Sequence, residues 1–442
     1  MTAKLKTIAI VNGTGRQAAS LIRVASALGY QVRAQVHSRQ GLVAEELAEL
    51  PGVTLFEGPL TGNNDLINVL FVGAHYAFIN TTYLAGDEVA IGKALADAAK
   101  RSGSIQHYIY SSMPDHSIHN PNWPALPLWS CKFAVENYIR QLGLPATFVY
   151  TGIYNNNFTS LPFPLFCMEL RPDGSFEWRS PFHPDIELPW LDAEHDVGPA
   201  VIQIFKDGPK RWKHHRIALA FELLTPRQVC RLFSRALERP VRYIHSPKID
   251  IRVPIPSGYR EQLEGIEYLF GQLRAPYFPG PEYTYPSPHS QKRALSSSSH
   301  RPYQQPRGPS FDLPIRTTAD LKPKIHRKSS TSTITPSNSL LDDIPRSEVR
   351  AIATKSPHLP PSASPIIAPS TKSNLMIPPS PTLSATAEGN APTSLVDEAR
   401  NLWEGWRSME EYAREVFPIE EENNGLDWMR EGEEGMECGY SL

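Results

Sequence analysis

Four places along the chain put chemically capable residues at informative spacing. The first is Val11-Asn12-Gly13-Thr14-Gly15-Arg16-Gln17-Ala18. A turn of small residues between a strand and a helix brings backbone N–H groups and the helix N-terminus to a diphosphate, because no side chain stands in the way. Dinucleotide reductases commonly space the turn as Gly-x-x-Gly-x-x-Gly. Here Asn12 takes the first position, Gly15 the second and Ala18 the third. Asparagine accepts a left-handed backbone, and alanine still lets the helix pack closely. The turn is altered but workable, and places a nucleotide at Asn12, Gly13, Thr14, Gly15, Arg16 and Gln17.

The second place decides which nucleotide. An NAD site usually carries an acid about 20 residues beyond the turn. This chain has His37-Ser38-Arg39 there. Arg39 can meet a 2′-phosphate and Ser38 can bond either ribose or phosphate, which leans toward NADP and leaves NAD open. An ordinary surface arginine is the alternative for Arg39.

The third is informative through an absence. Short-chain reductases use a Tyr-x-x-x-Lys pair, in which tyrosine is the acid/base and lysine lowers its pKa and holds the ribose. Lys132 is the corresponding lysine, and four residues before it stands Leu128. Leucine cannot transfer a proton, and Ser111 and Ser112 have no tyrosine to assist. Lys132 is therefore expected to bind ribose in a site without hydride chemistry. An NADPH-dependent reductase working with Lys132 alone is the competing reading.

The fourth is Tyr154-Asn155-Asn156-Asn157. Consecutive amides are poor helix and strand formers, and beyond a strand they can line a nicotinamide pocket. Pro59 and Leu60, and Asn80, Thr81 and Thr82, likewise follow apolar runs and join the candidate site.

The elements that must position these residues are legible. Apolar strand runs are expected at 7–11, 31–36, 53–56, 76–79, 106–110 and 146–150, with helices to residue 28 and at 42–50, 65–71, 88–100 and 131–142. This alternation predicts an α/β fold, a Rossmann-type doubly wound parallel sheet covered on both faces. Such sheets bind ligands beyond the carboxyl ends of their strands, where the polar clusters fall. Residues 151–280 are less regular, with helices at 225–237 and 259–273, and are expected to form a smaller α+β lobe over the ligand edge.

Proline divides the rest. The chain has 442 residues and 42 prolines, roughly twice the usual share of about 5%. Residues 281–395 hold 19 prolines and 21 serines but only four aromatics. A segment so poor in large apolar groups cannot offset its ordering entropy by burial, so 281–394 is expected to be a disordered insertion. The organisation expected is a nucleotide-binding core at 1–150, the smaller lobe at 151–280, this insertion, and a C-terminal helix and segment at 395–430 returning to the core. In the tail, Leu395, Ala399, Leu402, Trp406, Met409, Ala413 and Val416 recur at steps of three and four, one helix face ending before Pro418.

The net charge of −2 averages unlike parts. Residues 281–395 carry 13 Lys/Arg against 7 Asp/Glu, and 396–442 carry 4 against 14. No strongly basic folded segment exists, so direct nucleic-acid binding is not expected. The four cysteines form no metal-type pair. Residues 1–6 lack the apolar run of a signal peptide, and no stretch approaches the ~18 apolar residues of a membrane span. A soluble, intracellular protein is expected, with no metal and no membrane contact.

One more segment, Leu191-Asp192-Ala193-Glu194-His195-Asp196-Val197-Gly198, gathers three carboxylates ahead of an apolar helix. It reads either as an acidic spot for a basic partner or as a helix N-terminus stabilised by acids.

Taken together, these residues resemble the NmrA-like family. The stretches carrying the resemblance are VNGTGRQAASLIRVA at 11–25, YIYSSMPDHS at 108–117, YTGIYNNNFTSLPFPLF at 150–166, PWLDAEHDVGPAVIQIFKDGP at 189–209 and EEYAREVFPIEEENNGLDWM at 410–429. The resemblance implies a sheet of the extended short-chain reductase kind and a protein that binds NAD or NADP, in the oxidised form, without dehydrogenase activity. It implies binding and repression of a GATA-type zinc-finger transcription activator when preferred nitrogen is available, and hence a place in nucleus and cytoplasm. The family's partner surface maps onto Glu194, Asp196, Gln203 and Phe205. A zinc-finger domain is basic, so an acidic surface has the right sign.

Overall fold

Strand β1 (Thr7–Ile10) shows how the core is built. Ile8 and Ile10 point into one apolar cluster, Ala9 and the following Val11 into another. Successive strand side chains face opposite sides of a sheet, so a strand apolar on both faces must be covered twice. The computed structural model describes residues 6–160, 162–251, 255, 258–280 and 394–424. The insertion expected at 281–394 lies outside them up to residue 393, as does the tail beyond 424.

Strands β2 (Gln31–Val36), β3 (Val53–Glu57), β4 (Tyr76–Ile79), β5 (His107–Ser112) and β6 (Ala146–Thr151) follow. Helices α1 (Arg16–Ala27), α2 (Leu42–Glu49), α3 (Asn64–Phe71), α4 (Glu88–Ser102) and α5 (Pro127–Leu142) alternate with them. The smaller elements are β7 (Ile153–Tyr154), β8 (Met168–Leu170), β9 (Phe176–Ser180), β10 (Leu188–Leu191), β11 (Arg216–Leu219), β12 (Glu222–Leu224) and β13 (Val241–His245). The main sheet has seven strands in the order β11-β6-β5-β4-β1-β2-β3, and every pairing is parallel. The order reverses between β1 and β4, the place where doubly wound sheets bind ligands.

Residues 151–280 do more than cap this sheet. They return β11 to its edge beside β6 and lay the helix Ala193–Asp207 on α1. A Cβ on Gly198 would stand 2.5 Å from the Ser20 carbonyl oxygen, so the two helix backbones touch. The remaining strands form two small sheets, β12-β10-β7 and β13-β9-β8. Helix α5 begins at Pro127, four residues earlier than the apolar pattern suggested, because proline's fixed φ suits a first helical position.

The tail departs from expectation. It is not one helix but three short ones, Asp397–Leu402, Met409–Glu415 and Phe417–Asn424. Trp403 is extended, and Ser408 starts the second helix with a capping box closed by Glu411. Pro418 does not end the helical structure; it sits at the start of the third helix. The apolar residues still face inward: Leu395, Ala399, Leu402, Met409 and Ala413 are buried, Trp406 and Val416 are half-buried, and Phe417 is buried beside them. Phe417 packs edge-on against Phe176 and Phe233.

Candidate functional site

The turn after β1 is held from below by β2. Asn12 has φ 59°, the left-handed conformation its amide side chain tolerates. Its N–H donates to Gln35 Oε1 at 3.0 Å, and the Gly13 N–H donates to the Gln35 carbonyl at 2.7 Å. A Cβ on Gly13 would meet that carbonyl at 3.1 Å, and one on Gly15 would meet Asn12 Nδ2 at 2.8 Å. The sequence thus keeps glycine where Gln35 and Asn12 leave no room. Gly15 is the N-cap of α1 and supplies no side-chain cap, so the first N–H groups of the helix are left for a ligand or water. Ala18 is fully buried.

Arg16 reaches sideways to pair with Glu194. Gln17 is buried and donates to the Tyr154 hydroxyl and, at 3.5 Å, to Thr151 Oγ1. Burial raises the Tyr154 phenol above its ordinary pKa. Gln17 Oε1 and both amide atoms of the fully buried Asn155 have no protein partner among the described residues. Orphaned buried amides are costly, and a ligand with hydroxyl and carboxamide groups satisfies them. These residues therefore fit a dinucleotide.

At the end of β2, His37 and Arg39 are exposed and Ser38 half-buried. The Arg39 guanidinium donates to the Leu55 carbonyl, which holds it beside the strand end rather than free in solvent. Pro59 is exposed and Leu60 buried after β3. Gly58, with φ 137°, receives Gln35 Nε2 on its carbonyl at 2.9 Å, so Gln35 ties both loops together.

Asn80, Thr81 and Thr82 follow β4, and the structure brings Lys132 to them. Lys132 Nζ donates to the Thr81 carbonyl at 2.6 Å and to Asn80 Oδ1 at 3.3 Å. It also pairs with Glu88 Oε1 at 2.9 Å, a carboxylate only 3% exposed. Thr81 Oγ1 donates to the same oxygen at 2.8 Å and lies 2.9 Å from the Tyr110 hydroxyl. Glu88 was hidden in the sequence, where it stands in the first turn of an alanine-rich helix capped by Asp87. A glutamate in a first turn ordinarily serves the helix dipole; only the fold turns this one inward.

Leu128 is half-buried at the start of α5, and its N–H donates to Gln262 Oε1 at 3.1 Å. Ser111 and Ser112 are buried at the end of β5. Asn156 Oδ1 accepts from the Ala193 N–H at 3.0 Å, and Asn157 opens a short helix. Of the three amides, Asn155 keeps an unpartnered side chain for a ligand.

The acidic segment needs correction as a surface. Asp192 is the N-cap of the helix Ala193–Asp207 and accepts from the N–H groups of Glu194 and His195. Asp196 is fully buried. It receives His195 Nδ1 at 2.7 Å, the Trp403 indole N–H at 3.3 Å and the Arg407 N–H at 3.1 Å. Burial pushes its carboxyl up to about 6. Phe205 is also buried, stacked 4.7 Å from Tyr76. Neither Asp196 nor Phe205 can meet a partner while the C-terminal segment covers the helix start and the sheet covers the ring. Glu194 and Gln203 remain partly exposed, with Gln203 bonded to Asp207 at 2.7 Å.

Residues 4–293 match the model of the NmrA-like family. The chain belongs to the NmrA-like family. It is 55% identical over 97% of its length to the whole of the nitrogen metabolite repression protein nmrA of Emericella nidulans. It is similar to the crystal structure of NmrA, a negative transcriptional regulator, in complex with NADP. That match has TM-score 0.70 and 54% identity, over 96% of this chain and 99% of that one. A structure of NmrA with NAD matches equally, with TM-score 0.70 and 53% identity over 96% and 99%. More distantly, an NmrA-like oxidoreductase of Aspergillus campestris is 26% identical over 56% of this chain and 77% of its own. No group of metal-ligating side chains and no helix long and apolar enough to cross a membrane occurs among the described residues.

Proposed function

We propose that this protein is a negative regulator of transcription in nitrogen metabolite repression, which holds NAD or NADP and represses a GATA-type zinc-finger activator without transferring hydride. One observation carries the reading: the nucleotide edge is complete while the acid/base position is Leu128 and the neighbouring Lys132 is engaged by buried Glu88. A bound dinucleotide would supply a nicotinamide ring able to exchange hydride. The chain's own residues hold it: the turn at Asn12–Gln17 for the diphosphate, Ser38 and Arg39 for the adenosine ribose, and Asn155 for the carboxamide. None of them delivers a proton to a carbonyl, because leucine has none to give and Ser111 and Ser112 lack a tyrosine partner.

The 55% identity to a nitrogen metabolite repression protein supports the regulatory role. The partner surface proposed is the exposed side of the helix Ala193–Asp207, with Glu194 and Gln203, rather than Asp196 or Phe205. Nucleus and cytoplasm are the places such a role requires. The test is titration with oxidised and reduced dinucleotides, with and without a GATA-type zinc finger. Charge reversal Glu194→Lys should weaken zinc-finger binding. Unchanged zinc-finger affinity would remove that surface.

The second reading, an NADPH-dependent reductase using Lys132, is favoured by the distant oxidoreductase relative. Steady NADPH consumption with carbonyl or quinone substrates would establish it.

A further inference from the structure

Two short runs of polar contacts, the second completed by the backbone from Tyr154 to Asn156, join the nucleotide turn to the C-terminal segment 394–424. The first leaves through Arg16. Its guanidinium pairs with Glu194, in the first turn of the helix Ala193–Asp207. Asp192, the N-cap of that turn, accepts the Glu194 N–H at 3.1 Å and pairs with the Arg407 guanidinium at 2.9 Å. Asp196 completes the grip on Trp403 and Arg407.

The second run leaves through Gln17, which donates to the Tyr154 hydroxyl. Beyond Tyr154, Asn156 accepts from the Ala193 N–H on its side chain and from the Thr159 hydroxyl, at 3.2 Å, on its carbonyl. Thr159 Oγ1 lies 3.0 Å from the Tyr412 hydroxyl and bonds to the Glu420 carboxylate, which Tyr412 also meets at 2.9 Å.

We propose that dinucleotide binding and the docking of residues 394–424 favour one another through Gln17 and Arg16. The inference rests on the dinucleotide reading and goes beyond it, because it makes the C-terminal segment the element that reports occupancy. The sign follows from the orphaned atom. Gln17 Oε1 has no protein partner among the described residues. A ligand hydroxyl on that oxygen fixes the amide with Nε2 toward Tyr154, and so fixes the turn on which Thr159 meets Tyr412. In the other direction, the Arg407–Asp192 pair fixes the helix start whose Glu194 holds Arg16 at the rim of the turn. Coupling between two binding equilibria is reciprocal: the factor by which the docked segment raises nucleotide affinity is the factor by which nucleotide favours docking.

The experiment is hydrogen exchange on the full chain with and without saturating NADP. We expect amides in 397–424 to slow about five-fold or more, the lower end of measured couplings, together with the turn at 12–17. Slowing at 12–17 with unchanged or faster exchange at 397–424 overturns the coupling while leaving the nucleotide reading intact. Slowing at neither removes both. As a second arm, Arg407→Met and Tyr412→Phe, neither of them among the residues assigned to the nucleotide, should each weaken NADP binding in calorimetry. Wild-type affinity in both variants, with exchange at 397–424 raised, would also overturn the proposal.

Discussion

Replacing Lys132 by Met separates a structural lysine from a catalytic one. The change leaves the Glu88 carboxylate 3% exposed, with the Thr81 hydroxyl at 2.8 Å as the hydrogen bond that remains to it. Removing one partner of a buried ion pair costs about 3–5 kcal/mol, because the other charge is stranded. We therefore expect a loss of about 3 kcal/mol at pH 7. The double variant Glu88→Gln, Lys132→Met should recover most of it, since no charge is left behind. Urea unfolding of the wild type, the single variant and the double variant measures this. A Lys132→Met chain within about 0.5 kcal/mol of wild type, or a double variant as unstable as the single, would refute the pairing argument.

Gly198→Ala puts a Cβ 2.5 Å from the Ser20 carbonyl and should cost about 1–3 kcal/mol in thermal unfolding by forcing α1 and the helix Ala193–Asp207 apart. Gly13→Val should lower both the melting temperature and the NADP affinity measured by calorimetry, because its added bulk meets the Gln35 carbonyl, Val36 and Ala34 where the buried turn packs on β2. The third expectation concerns pH. Burial pushes the Glu222 carboxyl, which accepts the Met409 N–H, up to about 7. A folded-state pKa above the unfolded one means the folded chain holds the extra proton, so this contribution is complete below about pH 4.5, the unfolded value, and is lost as pH rises to about 7. Unfolding followed from pH 4 to 8 should show that decline, to which buried Asp196 adds in the same direction, and Glu222→Gln should make it shallower.

The strands and helices of the nucleotide core were legible because their signals are local. β2 and β4 fall at the residues their apolar runs mark, and Asn12 adopts the left-handed turn its type allows. What stayed hidden depends on distant partners. Glu88 reads as a dipole-stabilising acid until β4 and α5 bring Thr81 and Lys132 to it. The carboxylates at 192–196 read either as a surface or as a helix start; Asp192 is that start, but the burial of Asp196 stays hidden because sequence does not show Trp403 and Arg407 arriving from beyond a long intervening segment. The tail's apolar spacing is compatible with one helix, yet Ser408 with Glu411 makes a new start that a periodicity of threes and fours does not reveal. Asn155 stands after β6 where a pocket is expected, and the sequence does not show that its amide is buried without a protein partner among the described residues.

The central claim is a nucleotide site kept for holding rather than for reducing. Calorimetric titration with NAD and NADP, run beside an NADPH-consumption assay on a panel of carbonyl and quinone substrates, tests it most directly. A site of that kind shows saturable one-site binding of the oxidised dinucleotides and no steady consumption. Absence of binding, or turnover at ordinary enzyme rates, would contradict it.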